Sequence, residues 1–174
     1  MGKEKKGRNR RSSDTLRMAS DHLNYEFWML GEALNKIKSI NQQKQTASMY
    51  QIPKIQIETN LAIESFAVHA RCLNDFFFNK AMKQEDMIAN DYLDEIQQKT
   101  WREYILQHQH HYEYTRKRVI KEIVHLTYDR TKIDPDEKMW DLQKGHKIFS
   151  EIMLKFLNLV DTGKICDRLE MLTT

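Results

Sequence analysis

Between Ile55 and Asn79 the chain reads IQIETNLAIESFAVHARCLNDFFFN. Placed on a helix at about 100° per residue, Leu61, Ala62, Ile63, Phe66, Val68, Ala70, Cys72, Leu73, Phe76 and Phe77 fill a broad apolar arc. The polar remainder is a narrow stripe of Glu64, Arg71 and Asp75, the last two one helical turn apart. A helix that is apolar over most of its circumference must be enclosed by other elements, so this stretch predicts the central helix of a bundle.

The flanking sequence supplies its companions. Upstream, Leu16, Leu23, Phe27, Leu30, Leu34 and Ile37 recur at helical spacing, predicting a helix from Asp14, whose carboxylate can cap it, to about Ile40. The polar stretch 41–54 then connects, with Pro53 presetting entry to the central helix. Downstream, Lys80 to Ala89 reads as a loop. Asp91 to about His110 reads as a weaker helix, with a possible interruption at Lys99 and Thr100, and His111 to Arg130 as another. Asp134-Pro135-Asp136-Glu137 is a strong start signal, an N-cap carboxylate followed by Pro at N1, for a last helix ending near Gly163. No window alternates with period two, and only five glycines and two prolines punctuate 174 residues. The expectation is an all-α, single-domain helical bundle of about four to five long helices over 14–162, with a disordered basic tail at 1–13 and a C-terminal tail at 163–174.

Composition narrows the function classes. Hydrophobic residues make up 40% and charged ones 30%, the balance of a globular chain, and no apolar run approaches the roughly 20 residues of a membrane span. The basic start lacks the apolar core of a secretory signal, and the two cysteines, Cys72 and Cys166, show no paired spacing, so a reduced, cytoplasmic protein is expected. Residues 1–13 hold Lys3, Lys5, Lys6, Arg8, Arg10 and Arg11 against Glu4, about +5, so the formal +3 of the whole leaves a body near −2. Any electrostatic hold on nucleic acid is therefore expected chiefly from the tail, through Arg8, Arg10 and Arg11.

Phosphate-binding glycine loops, nucleophile elbows and zinc-protease helices are all missing from the sequence. A di-iron bundle needs two Glu-x-x-His pairs, and Glu122 with His125 is single, so no metal site and no cofactor is expected. The run His108, Gln109, His110, His111 points its side chains in different directions on a helix and reads as a solvated junction. His69 falls inside the apolar arc and reads as a hydrogen-bonded core histidine.

One segment carries a chemical pattern. In RKRVIKEIVHLTYDR, residues 116–130, Arg118, Glu122 and His125 stand at i, i+4 and i+7 and share one stripe, opposite the apolar arc of Val119, Ile120, Ile123 and Val124. Such a stripe is expected to face away from the core. An Arg and a His with four to six residues between them, here six between Arg118 and His125, in a helix of a small bundle, resembles the motif of the HEPN superfamily, which includes many bacterial toxin and abortive-infection ribonucleases; the resemblance covers about residues 14–160. Val119 stands where that superfamily commonly has a polar residue.

The resemblance implies a metal-independent endoribonuclease acting on RNA, working as a homodimer in which the Arg and His of both subunits meet in a cleft, in a setting where a protein antitoxin is a partner. His125 would accept the 2′-hydroxyl proton, Arg118 would stabilise the phosphorane charge, Glu122 would orient the imidazole, and Arg116 and Lys121 would add phosphate contacts. The alternative reading is a non-catalytic helical module that dimerises and binds a protein or nucleic-acid partner.

Overall fold

A computed structural model describes residues 9–78, 83–119 and 140–172. Among them lie six α-helices and no strand: α1 (Ser13–Lys44), α2 (Ile52–Phe77), α3 (Glu95–Leu106), α4 (Gln109–Arg118), α5 (Leu142–Leu157) and the short α6 (Asp167–Glu170). The all-α bundle is thus the observed fold.

The helix boundaries follow local chemistry. Ser12, rather than Asp14, caps α1: its side chain accepts from the Thr15 amide at 3.2 Å, and Asp14 sits in the first turn where its charge suits the helix dipole. Pro53 lies in the first turn of α2, where a missing N–H costs nothing. The weak helix expected from Asp91 starts later, at Asp94, whose carboxylate accepts from the Gln97 amide at 2.8 Å while the Gln97 side chain returns a bond to the Asp94 amide. It runs through Lys99 and Thr100 unbroken and stops instead near His108, so α3 and α4 are separate helices. The start expected at Asp134 lies outside the described residues; the described helix α5 opens at Asp141, which caps the Lys144 amide at 2.9 Å.

α1 and α2 form a long antiparallel hairpin. Lys36 meets Glu58 at 2.9 Å near its tip, and Glu26 meets His69 Nδ1 at 2.7 Å further down. His69 thus has the hydrogen-bonded setting its sequence position suggested. Against the inner side of this hairpin α5 packs Phe149, Ile152 and Phe156, all fully buried. Phe76, Phe77, Tyr92, Trp101 and Phe156 make an edge-to-face aromatic cluster with centroids 5.2–6.1 Å apart, and Trp101 Nε1 donates to the Phe77 carbonyl at 3.2 Å.

Two expectations judged tails from local sequence, where long-range contacts hold the described residues. Residues 163–172 do not trail from the bundle: Ile165, Cys166 and Leu169 are buried, the Cys166 amide donates to Ser20 Oγ at 2.7 Å, and Arg17 bonds the Ile165 carbonyl at 2.6 Å and pairs with Asp167. At the other end Arg11 donates to the Gln84 carbonyl at 2.5 Å, and Arg10 and Arg11 line a cleft with Asp91, Asp94 and Glu95. Part of the basic tail thus lies against the body of the chain, beside acidic groups. A third expectation is half met. α2 buries Phe66, Ala67, Ala70 and Leu73, but Ile57, Leu61 and Val68 stay exposed, so the helix is enclosed on one side only.

Candidate functional site

α4 is ten residues long, and its sequence divides it into two working faces. Tyr112 and Val119 turn towards α2, where Tyr112 stacks on Phe78 with centroids 4.6 Å apart. His111, Tyr114, Thr115 and Arg118, at i, i+3, i+4 and i+7, share the neighbouring stripe. That stripe forms one wall of a cavity of about 370 Å³. Phe66 of α2 and Ile148 and Phe149 of α5 supply apolar walls, and Trp140, Asp141 and Lys144 stand at the start of α5.

Arg118 was expected to face solvent, and it does not. It is 7% exposed: its guanidinium lies 4.6 Å above the Trp140 ring and 5.5 Å from the Tyr114 ring, and Nη1 donates to the Tyr114 hydroxyl at 2.7 Å. Arg118 and Val119 are adjacent on the helix, about 100° apart, and both are buried. What helical spacing could not supply is Trp140, twenty-two residues further on, which covers the second face of α4. The planar, weakly hydrated guanidinium can lie flat on an indole, so the charge is retained at little desolvation cost.

Two cations, Arg118 and Lys144, line the cavity together with His110 and His111; among the described residues Asp141 is the single carboxylate of the lining, and it is engaged in capping α5. The amino-terminal end of α5 adds its partial positive charge. The arrangement suits an anion. His111 is not one of the charges at neutral pH. Its ring packs edge-on to Phe149 at 5.3 Å, its Nε2 is buried without a hydrogen-bond partner among the described residues, and burial, with help from His108, Lys144 and His110, pushes its pKa down to about 4. The sequence reading of this histidine run as a polar junction therefore fits His110, which is exposed, better than His111.

Arg116 lies in the last turn of α4 and is exposed, away from the cavity lining. Glu122, His125, Lys121 and Arg8 lie outside the described residues. Sequence reasoning passed over Tyr114, Trp140 and Lys144. The Tyr114 to Arg118 spacing of one turn was a usable signal; Trp140 and Lys144 come from a distant stretch and gave none. Among the described residues no group of three His, Cys, Asp or Glu is placed to hold a metal ion, and no helix is long and apolar enough to cross a membrane. Thiol chemistry finds no support at Cys72, whose pKa rises to about 11 through burial and then the neighbouring Glu26 carboxylate. Comparison with known protein families, curated proteins and solved structures gives no match.

Proposed function

We propose that this chain is a HEPN-like bundle protein that acts on RNA as a metal-independent endoribonuclease, with the cavity beside Arg118 as its phosphodiester site. The observation that carries the reading is the meeting of Arg118 with Lys144 and His110 around one cavity at the start of α5. Glu122 and His125 follow Arg118 at four and seven residues, the spacing that continues the stripe of His111, Tyr114 and Arg118.

In this reading His125 takes the proton from the RNA 2′-hydroxyl, whose oxygen attacks phosphorus. The bond to the 5′-oxygen breaks, that oxygen takes a proton from solvent and leaves as the 5′-hydroxyl, and a 2′,3′-cyclic phosphate remains on the other fragment. Arg118 and Lys144 hold the charge that builds on the non-bridging oxygens, and Glu122 orients the imidazole.

A non-catalytic interaction module is the second reading, favoured by one observation: Arg118 is bound by Tyr114 and Trp140 in a way that a purely structural arginine would also be. Cleavage of a mixed RNA pool in EDTA separates the two. The enzyme reading expects cyclic-phosphate ends from the wild type and a strong loss in Lys144→Ala, an exposed residue whose removal leaves the fold intact. Absence of cleavage by the wild type, or cleavage that requires added metal, overturns it in favour of the module.

A further inference from the structure

We infer that the outer face of the α1–α2 hairpin is a self-association surface, on which the hairpin of a second copy of this chain docks about a two-fold axis perpendicular to the helices. This goes beyond the RNA reading and does not depend on it.

The first observation is the unfinished enclosure of α2. Leu61 and Val68 are one heptad apart on the same line of the helix, with Ile57 one turn before, and they are 60%, 47% and 61% exposed. On α1 the matching outer residues are Met18, Tyr25 and Trp28, of which Trp28 is 57% exposed. Nine of the fifteen exposed large apolar residues among the described residues lie between Met18 and Val68, so the exposure is concentrated on this hairpin rather than scattered. Concentration of that kind marks an interaction surface.

The second observation selects the occupant. The hairpin is a charge dipole along its length. Its tip, residues 36–58, carries Lys36, Lys38, Lys44 and Lys54 against Glu58, a net +3. The remainder, 18–35 with 59–75, carries Asp21, Glu26, Glu32, Glu64 and Asp75 against Arg71, a net −4. A two-fold axis through the middle, near Trp28 on α1 and between Leu61 and Val68 on α2, lays the basic tip of each copy along the acidic half of the other and Leu61 beside Val68 of the second copy. A parallel arrangement sets like against like. A polyanion is repelled by the acidic half, so the face suits the chain itself and not nucleic acid.

The size agrees. The 26 residues of α2 give a face about 39 Å long at about 1.5 Å rise, and two adjacent helices make it about 20 Å wide. That is roughly 780 Å² per copy, near the ~800 Å² per partner of stable protein complexes. Phe66, which lines the cationic cavity, lies about 140–160° around α2 from Leu61 and Val68. The two cavities of the dimer therefore face away from this interface, which is not one built around the Arg118 stripe.

The test is sedimentation of the full chain over a micromolar range. We expect a dimer for the wild type, and a monomer with unchanged helical circular dichroism for Leu61→Glu combined with Val68→Glu. Lys36→Glu and Asp21→Lys, which the axis near Trp28 sets against each other, should each raise the dimer Kd several-fold, and the two together should recover most of the loss. A wild type that stays monomeric overturns the inference, as does a dimer that survives the Leu61 and Val68 substitutions; if that double variant loses helicity, the Lys36 and Asp21 swap decides by its recovery or failure to recover.

Discussion

The Arg118 guanidinium lies 4.6 Å over the Trp140 indole, tying the last turn of α4 to the residues that open α5. A desolvated cation–π contact of this kind is worth up to about 2 kcal/mol. Trp140→Ala should lower the urea midpoint by an amount equivalent to about 1–3 kcal/mol, since the indole also packs against the core, and Trp140→Phe should recover part of it. Arg118→Lys keeps the charge but loses the flat stacking face, so a smaller loss, about 1 kcal/mol, is expected. Equal stability of all three variants would mean that the stacking contributes nothing.

The chemistry makes a separate demand on Arg118. If it stabilises the phosphorane, Arg118→Lys should retain only part of the RNA cleavage rate, and His125→Ala should lose about 10²–10⁴-fold, the usual worth of a general base. Stability and rate must be read on the same preparations, because Arg118 is buried. A drop in rate that merely tracks a drop in folded fraction would leave Arg118 a packing residue.

How far the sequence reached is clear from particular residues. The arc of residues 55–79 located α2, and periodicity located α1, because both are long helices whose inner faces follow a 3.6-residue repeat. Capping was misjudged by two residues at Ser12 because Asp14 is an equally good cap in isolation and the choice depends on where the chain turns. The burial of Arg118 was illegible because it depends on Trp140. So was the docking of Ile165 and Leu169, whose segment is too short to show a period and is held through Ser20 and Arg17 from the far end of the chain.

That clamp gives a stability prediction. Ser20 is fully buried; its hydroxyl accepts from the Cys166 amide at 2.7 Å and donates to the Arg17 carbonyl at 2.6 Å. Ser20→Ala leaves the Cys166 N–H without its partner, at a cost of about 1–3 kcal/mol. Hydrogen exchange should show the Cys166 amide losing protection before the amides of α2 do, because only the C-terminal segment is released.

Acid should act through the histidines. His111 has its pKa lowered to about 4 by burial first, and burial also lowers those of His108 and His146. Below pH 6.5 the unfolded chain takes up a proton on His111 that the folded chain refuses until about pH 4. Stability is therefore full above pH 6.5 and is lost as the pH falls from 6.5 towards 4. His111→Phe should flatten that part of the urea-midpoint profile, and an unchanged profile would mean that the imidazole is not held neutral.

Asn74 is the clearest conflict between packing and polarity. It is 1% exposed, on the inner side of α2, and among the described residues neither its amide nitrogen nor its amide oxygen has a hydrogen-bond partner. Burying an unpaired amide costs about 1–3 kcal/mol, whereas a leucine of similar volume has no such penalty. Asn74→Leu should therefore raise stability, while Asn74→Ala, which leaves a void in the same place, should not. We expect Asn74→Leu to show a higher urea midpoint with helical content unchanged. A variant less stable than the wild type would show that the amide is satisfied in solution.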